Sequence, residues 1–378
     1  MEKVTLPLDD PSKLLGKGSF SDVYLANDGK SALKLVVKKD SLGKGTTTFF
    51  DTGKVHPNSR RKFSENIGLI YELSLTKLLD HENIMKTYGP FLTSMKTKRG
   101  KPKEYYGVRL ELLSTSLDKI LYSGTKTRLS GDQKKSLVSQ LFNAVHYLGQ
   151  VGIVHRDIKP ANIMLNDKGV LKLADFGSMC PATSFEGVEF DHNDEGGTVN
   201  YKPPEFLVGF NGYQYGNSFD LWAAGAVVVE IYTSHPRFTS PGIPNAGVMV
   251  AQPLGVLTEI MKCVPVEERE LEFSGDTKQD ERGLMWFNDH HKKIPYIGND
   301  NKLETRFKVL VGAGWNGDYQ PEMADLLVNK VLVFRRSKRD RNFLNHPFFS
   351  EYGYKKREVS VDKGAVKEFV GKIKDILD

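Results

Sequence analysis

Apolar and polar residues alternate in two stretches of the first 113 residues, which is the pattern of half-buried β-strands. Residues 14–37 predict a strand, a glycine turn and two further strands, and Tyr105 to Leu113 predicts another strand. Between them, Phe63 to Leu79 carries apolar residues close to one face of a helix: Ile67, Ile70, Tyr71, Leu75 and Leu78. The first part of the chain is therefore predicted to be a β-sheet with one inserted helix.

Helical spacing dominates after residue 114. Ser130 and Gln133 form a capping box in front of a helix with regularly spaced apolar residues: Leu137, Leu141, Val145 and Leu148. Ser218 to Tyr232 is apolar almost all round, as a buried helix requires, and Leu254 to Cys263 predicts a further helix. Val359 to Leu377 has the pattern of an amphipathic tail helix.

These patterns indicate an α+β protein, and the length allows one large core or two small ones, so two lobes that share a cleft are reasonable. The N-terminal lobe is expected to be rich in β-strands and to cover residues 1–113, and the C-terminal lobe is expected to be mainly helical and to cover residues 114–350. A helical tail follows at 351–378. A chain of 378 residues is long enough for two such cores.

The net charge of +6 is concentrated in three basic runs, at residues 38–62, 96–103 and 335–341. Residues 38–62 also lack periodicity, so they predict a long insertion loop. Nucleic-acid binding is one interpretation of such runs, but the sequence shows neither interleaved aromatic residues nor a known reading motif. Solvated loops, or contacts with an acidic activating or docking protein, are favoured instead.

Composition narrows the class of protein further. Apolar residues make up 39% of the chain and charged residues 26%, which argues against disorder. No run approaches the roughly 20 apolar residues of a membrane-spanning helix, so no membrane partner is expected. The two cysteines, Cys180 and Cys263, are too few for a disulfide scaffold and indicate a reducing compartment. A cytoplasmic or nuclear location is therefore expected.

The stretch with the clearest chemistry is His155 to Asn162, followed by Asp175-Phe176-Gly177. The carboxylate of Asp157 can accept a proton from an attacking hydroxyl group. Lys159 can neutralise a phosphoryl group during its transfer. The amide oxygen of Asn162 and the carboxylate of Asp175 are hard oxygen ligands that suit Mg²⁺.

These residues resemble the catalytic loop and the Mg²⁺-binding turn of eukaryotic-type protein kinases. Lys159 is the form found in serine/threonine kinases, and Thr198, just ahead of Pro203-Pro204-Glu205, supports the same assignment. The resemblance covers roughly residues 14–350, and Lys202 hints at the branch of mitogen-activated and cyclin-dependent kinases. It implies transfer of the γ-phosphoryl group of ATP to serine or threonine hydroxyls of protein substrates.

The glycines Gly16 and Gly18 fit a turn that closes over phosphates, although Ser21 stands at the third glycine position and a plain β-hairpin explains the same pattern. Lys34 matches the strand lysine that holds the α- and β-phosphates in the family. The resemblance implies that the ion-pair partner of Lys34 is Glu72, with Glu65 as the alternative. Thr76, one turn past Glu72, stands at a usually apolar position, so its hydroxyl needs a partner.

The resemblance also implies an adenine pocket. Leu110 would guard its back, the backbone of Glu111 and Leu113 would bind adenine, and Met164 would form its floor. Val23 and Ala32 complete the candidate ATP contacts.

Residues 175–205 resemble an activation segment. Arg156 normally pairs with a phosphate from this segment. One of its acids, Glu186, Glu189, Asp191, Asp194 or Glu195, is one candidate substitute, and phosphorylation of Thr183 or Ser184 is the other. Two further ties are implied: Asp220 braces the catalytic loop, and Arg339, or else Arg341, pairs with Glu205. An ATP-binding scaffold without catalysis is the alternative function.

Overall fold

The computed structural model describes the chain in separate ranges: residues 2–6, 11–17, 22–38, 41–42, 46, 48–50, 54–55, 66–96, 102–123, 129–182, 197–208, 215–240, 248–266, 291–298, 300–315, 319–339, 342–351 and 363–377. They form two compact units. Unit 1 contains residues 1–114, 165–180 and 360–378, and unit 2 contains residues 115–164 and 181–359. The predicted division was linear, whereas the structure groups residues 165–180 and the tail with the first unit.

The elements are numbered in chain order. The strands are β1 (Glu2–Lys3), β2 (Leu14–Lys17), β3 (Asp22–Leu25), β4 (Ser31–Lys38), β5 (Thr87–Lys96), β6 (Pro102–Glu111), β7 (Thr115–Ser116), β8 (Ile153–Val154), β9 (Ile163–Leu165), β10 (Leu171–Leu173) and β11 (Cys180–Pro181). The α-helices are α1 (Ile67–Ile70), α2 (Leu117–Tyr122), α3 (Gly131–Gln150), α4 (Pro204–Val208), α5 (Asn217–Thr233), α6 (Val248–Cys263), α7 (Leu303–Val311), α8 (Pro321–Asp325), α9 (Pro347–Glu351) and α10 (Lys363–Leu377). Single 3₁₀ turns lie at Pro11–Lys13, Thr76–Leu78, Pro160–Asn162, Phe176–Ser178, Val199–Tyr201, His291–Lys293, Arg336–Lys338 and Phe343–Asn345, and π turns lie at Tyr71–Leu75 and Leu326–Val331.

Unit 1 is built on a six-stranded sheet with the order β1-β5-β6-β4-β3-β2. The central pairs are antiparallel, and β1 joins the edge in parallel with β5. One face of the sheet buries a cluster of apolar side chains: Leu6, Ala26, Leu33, Leu35 and Phe91. Lys34 lies between two members of this cluster in β4, so the alternation of the strand turns its side chain to the opposite face.

The helix that carries Glu72 is less regular than its apolar spacing predicts. It runs as α1, then as the π turn Tyr71–Leu75, then as the 3₁₀ turn Thr76–Leu78. The hydroxyl of Thr76 donates a hydrogen bond to the carbonyl oxygen of Glu72 (2.8 Å), which supplies the partner this buried threonine needs. A π turn inside a helix often marks a functional site.

The two main helices of unit 2 follow the predicted pattern. Helix α3 begins with the expected capping box, in which the Ser130 hydroxyl accepts from the Gln133 amide N–H and the Gln133 side chain accepts from the Ser130 N–H. Helix α5 is buried on every side, as its apolar sequence predicts. Gly225 lets a neighbouring segment approach α5, because a Cβ atom there would lie 2.5 Å from Cγ1 of Val331.

The pair of Glu205 and Arg339 ties α4 to the segment that follows Leu326–Val331. The two guanidinium Nη atoms of Arg339 each donate to one carboxylate oxygen of Glu205, both at 2.7 Å. Arg339 is fully buried and also donates to the carbonyl oxygens of Val333, Ser218 and Phe334. The prediction that Arg339 pairs with Glu205 is confirmed; Arg341 lies outside the described residues.

The tail forms α10, which buries Val366, Val370 and Ile373 on one face at helical spacing. This agrees with the amphipathic pattern predicted for the tail. Among the described residues, no helix has both the length and the apolar character needed to cross a membrane. The α+β bilobal class predicted from the sequence is confirmed by the strand-rich first unit and the helical second unit.

Candidate active site

The best-formed charged group in unit 1 joins Lys34 to two carboxylates. Nζ of Lys34 lies 2.5 Å from Oε1 of Glu72 and 2.7 Å from Oδ1 of Asp175. Glu72 is buried, whereas the side chain of Asp175 is 48% exposed. The structure thus pairs Lys34 with the carboxylate favoured from the sequence, while Glu65 lies outside the described residues.

Burial by itself lowers the pKa of Lys34, but the two carboxylates outweigh this effect and hold the pKa above its ordinary value. Lys34 is therefore a permanent cation near neutral pH. Lys34 is held on a strand between the buried carboxylate of Glu72 and the exposed carboxylate of Asp175. A fixed positive charge therefore lies beside a carboxylate that solvent and ligands can reach. Such an arrangement suits the binding of phosphate groups.

The turn around Asp175 is strained in a way that positions its carboxylate. Asp175 has φ 60°, in the left-handed region that side chains rarely occupy, and a single 3₁₀ turn follows it. Gly177 lies against Glu72, because a Cβ atom at this glycine would be 3.4 Å from Oε2 of Glu72. Strain of this kind persists where the surrounding structure fixes it, and it is frequent at active sites.

The other candidate nucleotide contacts of unit 1 fall on the sheet. Gly16 is exposed, Val23 is opposite Lys34 in the β3–β4 pair, and buried Ala32 is opposite Leu110 in the β4–β6 pair. The side chain of Glu111 accepts from the amide of Lys86 (2.6 Å) and pairs with Lys172 (3.2 Å). Gly18 lies outside the described residues.

Leu113 follows the end of β6 and carries backbone groups that can bind a ligand. Within the described ranges neither its N–H nor its carbonyl oxygen has a hydrogen-bond partner. Its half-buried position makes such open groups costly unless water or a ligand meets them. This fits the adenine contact that the sequence implies. Met164, in unit 2, is also half-buried.

In unit 2, the carboxylate of Asp157 is held by several donors. Oδ1 accepts from the amide N–H and the hydroxyl of Thr198, both at 3.0 Å. Oδ2 accepts from Nδ2 of Asn162 (2.8 Å) and pairs with Nζ of Lys159 (2.8 Å). Lys159 also donates to the Thr198 hydroxyl (2.9 Å), so these four side chains form one network.

The backbone of this loop is braced by Asp220 on α5. Its two carboxylate oxygens accept from the amide groups of His155 (2.6 Å) and Arg156 (3.0 Å), as the sequence implied. Burial raises the pKa of Asp220, and the two amide donors act in the opposite direction. The braced loop contains a second strained residue, Arg156, whose φ of 69° lies in the left-handed region. A fully buried carboxylate with two good donors is a positioning group for the loop.

Arg156 itself packs over the ring of Tyr215, with its guanidinium carbon 4.6 Å from the ring centroid. Gly197 crosses the loop closely, since a Cβ atom there would lie 2.5 Å from the carbonyl oxygen of Arg156. The acidic residues at 186–195 and the alternatives Thr183 and Ser184 lie outside the described residues. The partner of Arg156 in that segment therefore stays a prediction.

Sequence reasoning missed the contact between half-buried Tyr201 and buried Glu230. The Tyr201 hydroxyl donates to Oε2 of Glu230 (2.7 Å), and Oε1 of Glu230 has no hydrogen-bond partner among the described residues. Burial raises the pKa of Glu230 to about 8, and the carboxylate of Asp118 acts in the same direction. The sequence did contain a sign of this contact, because Glu230 is a charged residue in a helix that is otherwise apolar almost all round.

This pair gives a prediction about stability. From pH 4.5, the ordinary pKa of Glu230, to about 8, the folded protein keeps a proton that the unfolded chain has lost, so the wild type loses stability as pH rises through this window. Glu230→Gln removes the titration. Within this pH window, the free energy of unfolding of the variant is expected to rise relative to that of the wild type by up to about 1.4 kcal/mol per pH unit. Denaturant unfolding of both proteins at pH 5 to 9 measures the difference, and a difference that does not change with pH would contradict the assignment.

Comparison with known proteins decides the family. The model of the protein kinase domain matches residues 10–349. The chain belongs to the protein kinase family. The kinase is 27% identical to the mitogen-activated protein kinase spk1 of Schizosaccharomyces pombe over 343 residues, which is 90% of this chain and 77% of the relative. It is 26% identical to cyclin-dependent kinase 9 of Danio rerio over 341 residues, covering 89% of this chain and 79% of the relative.

A third relative, a probable cell division protein kinase of Encephalitozoon cuniculi, is 28% identical over 246 residues, covering 64% of this chain and 78% of the relative. The predictions of family, fold and enzyme class are confirmed: the chain is a serine/threonine protein kinase. The family acts on protein substrates and uses ATP, generally with Mg²⁺.

Proposed function

We propose that this kinase transfers the γ-phosphoryl group of ATP to a serine or threonine hydroxyl, with Asp157 as the group that orients and deprotonates the acceptor. The hydroxyl oxygen forms a bond to the γ-phosphorus while the bond from that phosphorus to the bridging oxygen of ADP breaks. The hydroxyl proton passes to a carboxylate oxygen of Asp157. Lys159 neutralises charge on the phosphoryl group during transfer.

The observation that carries this proposal is the network around Asp157. Thr198, Asn162 and Lys159 together fix both oxygens of its carboxylate, which leaves its orientation little freedom. A general base must be held in place to act on a bound hydroxyl. In a scaffold without catalysis, such a network would have no chemical use.

For nucleotide binding, we propose Lys34 as the residue that holds the α- and β-phosphates, with Glu72 keeping Lys34 in place. Gly16, Gly18, Val23, Ala32, Glu111, Leu113 and Met164 complete the candidate ATP contacts. The residues present also fit Mg²⁺. Asp175 offers an exposed carboxylate, and Asn162 donates its hydrogen bonds through Nδ2, so its Oδ1 is available as a metal ligand. When bound, Mg²⁺ neutralises charge on the phosphates.

Two finer assignments are also proposed. An acidic activating or docking protein is the proposed partner of the basic insertion at 38–62, which lies largely outside the described residues. A cytoplasmic or nuclear location is proposed because both cysteines, Cys180 and Cys263, are buried thiols rather than halves of a disulfide.

The proposal is tested at Thr198. Thr198→Val keeps the shape and the amide donor but removes the hydroxyl that joins Lys159 to Asp157, whereas Thr198→Ser keeps that hydroxyl. We expect Thr198→Val to lower kcat by roughly tenfold, the cost of one hydrogen bond to a charged group, with little change in the KM for ATP. Thr198→Ser is expected to stay close to the wild type. Steady-state kinetics with a protein substrate measures both, and equal kcat for all three proteins would contradict the proposed network.

A further inference from the structure

A cavity of about 220 Å³ opens in unit 2 at the C-terminal end of α6, and none of its lining residues is assigned to catalysis. Its floor is apolar and formed by buried side chains: Val264, Val328 and Phe334. Its rim is polar and partly positive, with Arg306 on α7, Asn329 and Lys338. Lys338 belongs to the basic run at 335–341 that the catalytic assignment leaves unexplained.

Among the described residues, neutral side chains rather than carboxylates hold the guanidinium of Arg306 at this rim. Its Nη1 donates to Oδ1 of Asn329 (3.1 Å), and Nδ2 of Asn329 in turn donates to Oδ1 of Asp325 (2.6 Å). Its Nε has no acceptor, and Arg306 forms no ion pair with any residue in the described ranges. Burial raises the pKa of nearby Tyr296, and the Arg306 charge opposes that rise.

Two acids on α7 and α8 have other partners in the described ranges. Glu304, on the same helix as Arg306, pairs with Lys308 (2.6 Å), and Asp325 pairs with His346 (2.8 Å). Within the described ranges, the cavity therefore combines an apolar floor with an oriented cation that has no carboxylate in contact with it. A half-buried cation of this kind gains most from an incoming negative group that can accept hydrogen bonds.

We propose that this cavity binds a linear acidic segment of a partner protein, with an apolar side chain on the floor and a flanking carboxylate at Arg306 and Lys338. A free phosphate would contact the rim but leave the apolar floor unfilled, and a nucleic acid would bring mainly polar and charged groups to it. The combination of an anchoring apolar pocket with charge at its edge is typical of peptide recognition. The proposal goes beyond the catalytic assignment and does not depend on it, because binding is measured without phosphoryl transfer.

The test is a selection of random 12-residue peptides displayed on phage against the full chain, followed by fluorescence anisotropy with the enriched peptides. The expected peptides carry aspartate or glutamate beside an apolar residue, and their affinity falls as salt is raised. Arg306→Gln and Lys338→Gln are each expected to weaken binding by roughly tenfold. Lys308→Gln removes one positive charge from the same helix outside the cavity, and it is expected to bind like the wild type.

Val333 lines the cavity and separates the remaining outcomes. Val333→Phe fills the cavity without changing charge, so it is expected to weaken binding as strongly as Arg306→Gln. If the charge variants weaken binding but Val333→Phe does not, the cavity is only an anion site and the peptide proposal fails. It also fails if no acidic sequence is enriched, or if enriched peptides bind Arg306→Gln and Lys338→Gln as tightly as the wild type. Thermal unfolding of each variant confirms that it is folded.

Discussion

Asp157→Asn is expected to lower the turnover number by about 10²- to 10⁴-fold, the usual contribution of a positioned general base. The amide has nearly the same shape as the carboxylate but cannot accept the hydroxyl proton. The new NH₂ group faces a donor, Thr198 at one position or Asn162 at the other, and in either orientation Lys159 loses its negative partner. The affinity for ATP is expected to change little, because Asp157 is not among the candidate ATP ligands.

The matched control is Asp167→Asn, the same chemical change at an exposed aspartate in a turn ten residues later in the sequence. It is expected to leave turnover and ATP affinity unchanged. Single-turnover measurements of both variants separate the chemical step from product release. Asp157→Asn with near-normal single-turnover rates would remove Asp157 from the proposed mechanism.

Arg339→Met is expected to reduce the free energy of unfolding by about 3–5 kcal/mol, the usual cost of breaking a buried ion pair from one side. The side chain of Arg339 is fully buried and that of Glu205 is 7% exposed, so the carboxylate left behind would be both desolvated and unpaired. The carbonyl oxygens of Ser218, Val333 and Phe334 would also lose their donor. Denaturant unfolding at neutral pH measures the loss.

Two further variants separate the ion pair from general disruption. Glu205→Leu combined with Arg339→Met removes both charges, so the double variant is expected to recover part of the stability lost in Arg339→Met. Lys308→Met breaks an exposed pair with Glu304 and is expected to cost less than about 1 kcal/mol. A double variant no more stable than Arg339→Met would show that packing, rather than the unpaired charge, dominates the cost.

Residues at fixed places in linear motifs were predictable from the sequence. Asp220, Glu205 and Arg339 could be paired with their partners because an isolated buried charge is costly and the family resemblance supplied the counterpart. The capping box of Ser130 and Gln133 was visible for a similar reason, since both halves lie within four residues. In each case a local pattern, or a strong physical requirement, left few alternatives.

Features that depend on the third dimension were not predictable. The spacing of apolar residues around Glu72 does not distinguish a π turn from a regular α-helix. The choice between Glu72 and Glu65 rested on the family resemblance, because both residues lie on one face of the predicted helix. The contact of Tyr201 with Glu230 joins residues 29 positions apart. Likewise, the absence of a carboxylate partner for Arg306 among the described residues is evident only from the folded structure. The positions of basic residues in the sequence do not show which of them lack an acidic partner in the folded protein.

The most direct test of the central claim is transfer of labelled γ-phosphate from Mg-ATP to mixed protein substrates, with phosphoamino-acid analysis of the products and Asp157→Asn and a chelated-metal sample in parallel. The proposed mechanism predicts phosphoserine or phosphothreonine from the wild type with Mg²⁺, and very little from the other two samples. ATP binding without any transfer by the wild type would contradict the mechanism and favour an ATP-binding scaffold.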